Sequence, residues 1–268
     1  MLSAINADGR DCFAPRTEKS EGPFHCPECH KELVLRKGAV VVHHFAHKPP
    51  VNCAYGSGET IEHMRAKLAI YEYLSSSPRV LKLDVEKPIE RSGIKVRPDV
   101  RCLVDEKHYL GIEFQKTSLD PREIERRTSA YRTLSVYVLW IVPWPAKLVH
   151  GERYQPRETE RYLHSLYFGR VFFWKPSVGI VPVHFDDHLI DVPYNEWYVE
   201  GGHGEMDSGG GYEYRSKRFV TPCVSPPVSI LQLGPVMRQA YTMKARSLPA
   251  ALLWSISTPV RPARKPPQ

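Results

Sequence analysis

The segment that most constrains the fold is residues 136–142, an almost unbroken apolar run rich in β-branched and aromatic side chains. The run is too short for a helix of its own, and Pro143 stops it. A short apolar run of this kind is typical of a β-strand that is buried on both faces. We therefore predict a buried strand at this point of the chain.

Periodic segments precede this strand. Apolar residues recur every three or four positions over residues 59–74, which predicts a helix, and alternation with polar residues predicts strands over 80–85, 94–104 and 109–115. Asp120 as a cap and Pro121 in the first turn indicate a second helix that runs to about residue 134. The predicted order is helix, three strands, helix, strand.

The chain beyond residue 145 is less regular. Residues 158–167 suggest a third helix, and residues 170–174 with 179–185 suggest a hairpin. Residues 200–212 are Gly-rich, and the Pro-rich, basic residues 259–268 are typical of a flexible tail. We divide the chain into an N-terminal segment (1–57), a core (58–145), an α/β extension (146–200) and a loop-rich, partly flexible C-terminal region (201–268).

Five potential metal ligands, Cys26, Cys29, His44, His47 and Cys53, lie in a stretch too short for a hydrophobic core of its own. A CxxC pair followed by HxxH and a further Cys favours zinc over buried structural cysteines. Four ligands are needed, and we choose Cys26, Cys29, His47 and Cys53, with His44 as the alternative. A site filled by four protein ligands has no open position for water, so the predicted zinc is structural.

A second pattern points to metal-assisted hydrolysis. Glu113 and Gln115 are two residues apart on a predicted strand and share a face, and Asp99 lies on the preceding strand. Two neighbouring carboxylates repel each other unless a cation lies between them, and Mg²⁺ satisfies both. Glu62 on the first helix is a candidate for a third oxygen. The alternative is a pair of solvated acids balanced by neighbouring arginines.

Basic side chains near this pattern predict contacts with a phosphate backbone. His63 and Lys67 are four residues apart, so they lie on one face of the first helix, and Arg126 and Arg127 lie on the second helix. Arg97 lies on the same predicted strand and face as Asp99. The net charge of +7 is compatible with a polyanionic partner and is also common among ordinary proteins.

Several motifs carry a resemblance to a known family. They are CPEC at 26–29, HFAH at 44–47, GETIEH at 58–63, RPDV at 97–100, GIEFQ at 111–115 and ERRTSAY at 125–131. Their order and spacing over about residues 24–144 resemble the competence protein CoiA-like family. The RPD and GIEFQ motifs also resemble the PD-(D/E)XK nuclease superfamily, in the variant where Gln replaces the last Lys.

This resemblance implies a restriction-endonuclease-like αβββαβ core with a mixed sheet between helices. Asp99 and Glu113 would form its Mg²⁺ or Mn²⁺ site, Gln115 would hold the place of the catalytic Lys, and Glu62 would contribute from the first helix. The implied activity is an endo- or exonuclease that hydrolyses DNA, RNA not being excluded as a substrate, in DNA uptake, recombination, mobile-element or defence processing.

Two other interpretations stay open. The domain could be a nucleic-acid-binding module that lost its chemistry with the Lys, or an interaction subunit of a DNA-processing complex. A homo-oligomer or a DNA-processing partner protein is compatible with both. We expect no membrane partner and a cytoplasmic protein, because the start of the chain does not resemble a secretory signal and no apolar segment is long enough to cross a bilayer.

Overall fold

The structure is a computed structural model that describes residues 1–50, 52–53, 55, 59–115, 119–198, 206–243 and 246–257. None of the helices in these ranges is long and apolar enough to span a membrane. The expected tail at 259–268 and part of the Gly-rich stretch at 200–212 lie outside the described residues.

The N-terminal part is a small antiparallel sheet with its own apolar core. Within the described residues it has five strands in the order β2-β1-β3-β4-β5. Its strands are β1 (Ser3–Asn6), β2 (Asp11–Phe13), β3 (Phe24–His25), β4 (Glu32–Arg36) and β5 (His44–His47). Leu33, Leu35 and Phe45 are buried between the strands. The turn after β3 carries two of the four expected zinc ligands, Cys26 and Cys29, and β5 carries a third, His47.

The next part contains the periodic segments that the sequence predicts. Its elements are α1 (Ile61–Ser75), β6 (Val80–Val85), β7 (Ile89–Arg91), β8 (Ile94–Val96), β9 (Val100–Val104), β10 (His108–Phe114), α2 (Pro121–Thr133) and β11 (Tyr137–Pro143). The two predicted helices, the strands at 80–85 and 109–115 and the buried strand are confirmed. Five strands lie between the helices where three were predicted, because β7 was not predicted and the strand at 94–104 is divided into β8 and β9. β11 is buried along its whole middle and pairs in parallel with β10, as expected for an interior strand.

The remainder adds one helix and further strands. They are α3 (Glu158–Leu166), β12 (Val171–Lys175), β13 (Gly179–Val192), β14 (Asn195–Tyr198), β15 (Met206–Gly209), β16 (Tyr212–Val224), β17 (Gly234–Arg238), β18 (Tyr241–Met243), β19 (Arg246–Leu248) and β20 (Ala251–Ser255). The third helix and the β12–β13 hairpin are confirmed. The described part of 201–268, expected as mostly loop, is instead rich in short strands.

One mixed sheet joins these two parts. Counted over the described residues it has nine strands, with the main path β16-β13-β12-β11-β10-β9-β6, while β20 pairs with β11 and β17 pairs with β20. β11 is parallel to both β10 and β12, and Val142 lies opposite Phe173. The domain boundary that we expected at residue 145 therefore falls between two paired strands of the same sheet.

Helix α1 begins where its sequence offers a cap. The Thr60 hydroxyl accepts a hydrogen bond from the His63 backbone N–H. The buried stripe differs from the expected one, because Lys67 is buried along it while Ile61 is largely exposed. A buried lysine costs free energy unless carboxylates surround it, and this requirement is met at the site below.

The strand predicted over 94–104 is interrupted. β8 ends at Val96 and β9 begins at Val100, and Arg97, Pro98 and Asp99 form the break between them. Pro98 lacks the N–H that a continuous ladder needs at this point. The break frees the Asp99 side chain from strand geometry, so the expected alternation of faces through Asp99 does not hold.

Candidate active site and metal knuckle

Four of the five predicted zinc ligands converge. One ligand atom from each of Cys26, Cys29, His47 and Cys53 lies within 4.8 Å of the others. The Cys29 sulfur is 3.3 Å from His47 Nε2, and the Glu28 N–H points to the Cys26 sulfur at 3.4 Å. We call these four side chains the metal knuckle. Three sulfurs and one imidazole match the donor set of structural zinc sites.

His44 is not part of the knuckle. Its Nδ1 lies 2.8 Å from the carbonyl oxygen of Val42, and it stands at the other end of β5 from His47. Residues three apart on a strand point to opposite faces, so only one of the two histidines can meet the cysteines. The structure selects His47, the first choice of the two.

The pKa shifts of the knuckle ligands show which protons a metal would have to displace. Burial raises the pKa of the Cys26 thiol to about 11, and burial also lowers the pKa of His47, so that its imidazole is neutral. The backbone N–H of Lys31 lowers the pKa of Cys29. Zinc binds the thiolate and the neutral imidazole, so it would take the proton's place on Cys26.

The second site is a buried cluster around Lys67. Its ammonium group pairs with Glu59 and Glu86 and lies 3.7 Å from Asp99 Oδ1, and the side chain is only 2% exposed. Burial alone would lower the pKa of Lys67, but its three carboxylate neighbours outweigh burial and raise it. We call Lys67, Glu59, Glu86, Asp99 and the adjacent Glu113 the carboxylate cluster. It draws on residues before α1, within α1, after β6, before β9 and within β10.

Glu86 is the most heavily hydrogen-bonded member of this cluster. Its Oε2 accepts from the backbone N–H groups of Leu2 (3.0 Å) and Ser3 (3.1 Å) and from the Tyr55 hydroxyl (2.9 Å). Burial would raise the pKa of this carboxyl, but the charges of Lys67 and of the N-terminal ammonium group, with the hydrogen bonds from Lys67 and the Tyr55 hydroxyl, hold it at about 2. Glu86 is therefore a fixed anion.

Asp99 is held from two sides. Its Oδ2 accepts from the Phe114 backbone N–H at 2.8 Å and lies 3.1 Å from His63 Nε2. Burial opposes ionisation of Asp99, but the His63 hydrogen bond and the Lys67 charge lower its pKa to about 2. The Glu86 backbone N–H also donates to the Asp99 carbonyl at 3.0 Å, which ties the two acids together.

Glu113 lies near Asp99. The Asp99 carboxylate accepts from the backbone N–H of Phe114, the residue after Glu113 in β10, and the β9–β10 ladder ends at the pair of Val100 with Ile112. Burial raises the pKa of Glu113 to about 7; Arg127 opposes this shift, and the nearby charge of Asp99 adds to it. The two acids are thus close enough to repel each other, as the proposal of a shared cation requires.

Helix α2 holds Glu113 in place. Arg127 and the Tyr131 hydroxyl both donate to Glu113 Oε1. Gly111 allows this approach, because a Cβ there would lie 2.8 Å from the Tyr131 ring. The Arg127 guanidinium also stacks 5.2 Å over Trp140.

The other predicted site residues have varied positions. Glu62 is exposed on α1, and Glu59, three residues earlier, is the acid from this segment that reaches the cluster. Gln115 lies just after β10, half-buried, and its backbone N–H donates to Ile141. Lys67, predicted to contact a phosphate backbone, is instead buried and paired with acids at the centre of the cluster.

The expected phosphate contacts also differ in exposure. Arg126 is 67% exposed and pairs with Glu123 on its own helix. Arg97, Arg127 and His63 are only about a fifth exposed, at 22%, 21% and 19%, and each already contacts an acid. Arg126 is thus the one of these residues most open to a large partner.

Sequence reasoning missed four residues of this site. Glu59 and Tyr131 stand inside motifs that carry the family resemblance, so the motifs could have indicated them. Glu86 and Tyr55 have no local signal, because their role depends on contacts between distant segments. A single acid after a strand is usually a solvated residue.

Comparisons with known proteins agree with the geometry. Models of the competence protein CoiA N-terminal domain and of the CoiA nuclease-like domain match residues 14–56 and 59–162, together more than half of the chain. Competence protein CoiA of Bacillus subtilis (strain 168) is 31% identical over 120 residues, which are 44% of this chain and 31% of that protein. The match thus spans about a third of the curated relative's length. No solved structure matches the chain.

Proposed function

Because this chain belongs to the competence protein CoiA-like family through its residues 14–162, we propose that its carboxylate cluster is the site of a nuclease that hydrolyses DNA with Mg²⁺ or Mn²⁺. We propose further that α1 to β11 are a PD-(D/E)XK core and that the metal knuckle holds a structural zinc. DNA uptake or recombination is the proposed setting.

The observation that carries this proposal is the proximity of Asp99 and Glu113 in a buried site. Burial and the charge of Asp99 raise the pKa of Glu113 to about 7 although Arg127 opposes the shift, so a partly compensated carboxyl lies near an ionised one. A hard divalent cation between them would remove this repulsion and would accept oxygens from both. The donor set therefore fits Mg²⁺ or Mn²⁺.

The surrounding residues would act as supports for these two ligands. When bound, the metal would activate water and neutralise charge on the phosphate. His63 and the Phe114 N–H orient Asp99, and Arg127 with Tyr131 orients Glu113.

The same geometry suggests roles for the residues around the ligands. Lys67 pairs with both Glu59 and Glu86, so its positive charge offsets part of their repulsion of the reacting groups. Gln115, at the usual place of the catalytic Lys, would orient the substrate by hydrogen bonding. Glu62 is exposed on α1, so we propose no direct metal contact for it and at most a contact with the metal site through water.

The DNA backbone would approach along α2 and the break before Asp99. Arg126 offers an exposed guanidinium there, and Arg97, Arg127 and His63 lie deeper toward the carboxylates. Each cation that neutralises a phosphate releases counterions, so DNA binding should weaken steeply with salt. The net charge of +7 has the right sign for this partner.

The test is a cleavage assay on linear and circular DNA, with Mg²⁺, with Mn²⁺ and with a chelator. Wild type should cut only with a divalent ion. Asp99→Asn should lose more than about a hundredfold in rate, since even outer-shell partners of metal ligands are worth about 10- to 100-fold. Asp105→Asn removes a carboxylate outside the cluster that pairs with Arg79 at the surface, and this variant should cut normally. Equal activity, or equal inactivity, of wild type and Asp99→Asn would refute the proposal.

A second candidate function has its own supporting observation. Lys67, Arg127 and Tyr131 already satisfy much of the carboxylate charge, and Gln115 stands where the superfamily has its Lys. A nucleic-acid-binding module without catalysis would show this pattern. Salt-sensitive DNA binding that survives Glu113→Gln, with no cleavage under either ion, would favour it.

A further inference from the structure

The metal knuckle and the carboxylate cluster share a set of direct contacts. We propose that occupancy of the knuckle by its metal sets the position of the carboxylate cluster, and that Arg97 and Tyr55 are the positioning residues that connect the two. This inference rests on the proposed function, since it assigns a regulation to the same site.

Arg97 forms the first connection. Its guanidinium pairs with Glu28, which lies between the knuckle ligands Cys26 and Cys29. Arg97 therefore contacts the loop that carries these two ligands. Arg97 is also two residues before Asp99 in the break between β8 and β9. Its carbonyl oxygen accepts from Arg127 at 3.2 Å. A movement of the knuckle loop would therefore change the position of Asp99.

Tyr55 forms the second connection. It is two residues after the ligand Cys53, it is only 7% exposed, and its ring lies 4.2 Å below the Arg97 guanidinium. Its hydroxyl donates to Glu86 Oε2 at 2.9 Å and lies 2.6 Å from the Ser3 hydroxyl. The segment after the last ligand is thus bonded directly to the cluster.

The ion pair alone would couple the metal knuckle to the carboxylate cluster only weakly. Arg97 and Glu28 are 22% and 42% exposed, and solvent screens their charges. The stacking on Tyr55 is more effective, because the ring is buried and hydrogen-bonded to a fixed carboxylate. Without metal, the loop at 26–29 and the segment at 53–55 lose the coordination that holds them together. Arg97 and Tyr55 would then lose their fixed support.

The coupling is measurable without any catalysis. In the full-length protein, zinc is removed from the knuckle with a chelator, and two quantities are compared with the zinc-loaded form. The first is hydrogen exchange of the Phe114 amide, which donates to Asp99. The second is the affinity for Mn²⁺, with Asp99→Asn identifying binding at the carboxylate cluster. Zinc removal should raise the exchange rate and weaken Mn²⁺ binding, each by about tenfold.

Variants separate the connection from a general effect of zinc on stability. Arg97→Ala should keep one zinc per chain, yet its zinc-loaded form should already show the faster exchange and the weaker Mn²⁺ binding. Arg97→Lys keeps the charge and should restore only part of the coupling, because lysine lacks the planar group that stacks on Tyr55. The matched control is Lys48→Ala, which removes an exposed ion pair of Lys48 with Glu32 next to a knuckle ligand and should behave as wild type.

The outcomes decide between distinct failures. Unchanged Phe114 exchange and Mn²⁺ affinity in zinc-free wild type, or wild-type values of both in zinc-loaded Arg97→Ala, would overturn the coupling. If zinc removal unfolds the wild type, the zinc-loaded Arg97→Ala result alone decides. If Mn²⁺ does not bind while Phe114 exchange still responds to zinc, the proposed function fails and the coupling stands. If cleavage requires Mg²⁺ or Mn²⁺ but does not change when zinc is removed, the proposed function stands and the coupling fails.

Discussion

Replacing Glu86 by Gln should remove a specific acid-sensitive part of the stability. The pKa of Glu86 is lowered from 4.5 to about 2 in the folded protein: burial alone would raise it, but the Lys67 charge and the hydrogen bonds to its carboxylate outweigh burial. A lowered folded-state pKa means that the stabilisation is present above the unfolded value and is lost as pH falls through the folded value. The window for Glu86 is therefore about pH 5 to pH 2.

The size of this effect follows from the shift. A difference of about 2.5 pKa units corresponds to about 3 kcal/mol of unfolding free energy, of which about 2 kcal/mol is lost by about pH 3. The wild type should therefore lose about 2 kcal/mol more than Glu86→Gln between about pH 7 and pH 3. The pKa of Asp99 is also lowered in the folded protein, and Asp99 shares Lys67 with Glu86, so the comparison reports Glu86 together with its coupling to Asp99.

Urea unfolding followed by circular dichroism at a series of pH values measures the difference. Glu32→Gln is the control, because Glu32 pairs with Lys48 at the exposed surface and its removal should change the pH dependence little. If the difference in unfolding free energy between wild type and Glu86→Gln stays constant from pH 7 to pH 3, the assignment of Glu86 as a fixed buried anion is refuted. The assignment is also refuted if the difference in unfolding free energy between wild type and Glu32→Gln changes by the same amount over this pH range.

Three further predictions concern the supports of the two sites. Gly111→Ala places a methyl group 2.8 Å from the Tyr131 ring and should destabilise the protein by about 1 to 3 kcal/mol in urea unfolding. Asp120→Ala removes the cap that accepts from the backbone of α2 and should cost about 1 kcal/mol in the same measurement. Cys53→Ser should lower the zinc content measured by elemental analysis and lower the midpoint of thermal unfolding; full zinc content would contradict the assigned ligand set.

Much of the fold was predictable because its signals are local. The alternation over residues 80–85 and the apolar run at 136–142 correspond closely to β6 and β11. The zinc ligands were predictable for a related reason, because two short spacings bring them together in a small sheet. His44 and His47 stand on opposite faces of β5, and their spacing alone could not show which of them turns toward the cysteines.

The carboxylate cluster was less predictable because it depends on distant segments. A lysine within a polar helical pattern suggests a solvated face, and only the convergence of Glu59, Glu86 and Asp99 shows why Lys67 is buried. Pro98 is a residue typical of strand edges and bulges, but its presence does not show that the break would turn Asp99 toward the Phe114 amide. Whether a charged side chain can be buried depends on all of its partners together, and the local periodicity of the sequence does not show those partners.

The charge balance of the cluster indicates where a divalent ion would enter. Lys67 neutralises the acids on one side, and its own pKa is raised by them, so a metal would gain little by displacing it. On the other side Arg127 only partly compensates Glu113, whose pKa remains raised to about 7 by burial and by Asp99. Metal binding should therefore occur between Glu113 and Asp99. Because Glu113 is partly protonated near neutral pH, binding there should release protons, and it should tighten as pH rises from about 6 to 8.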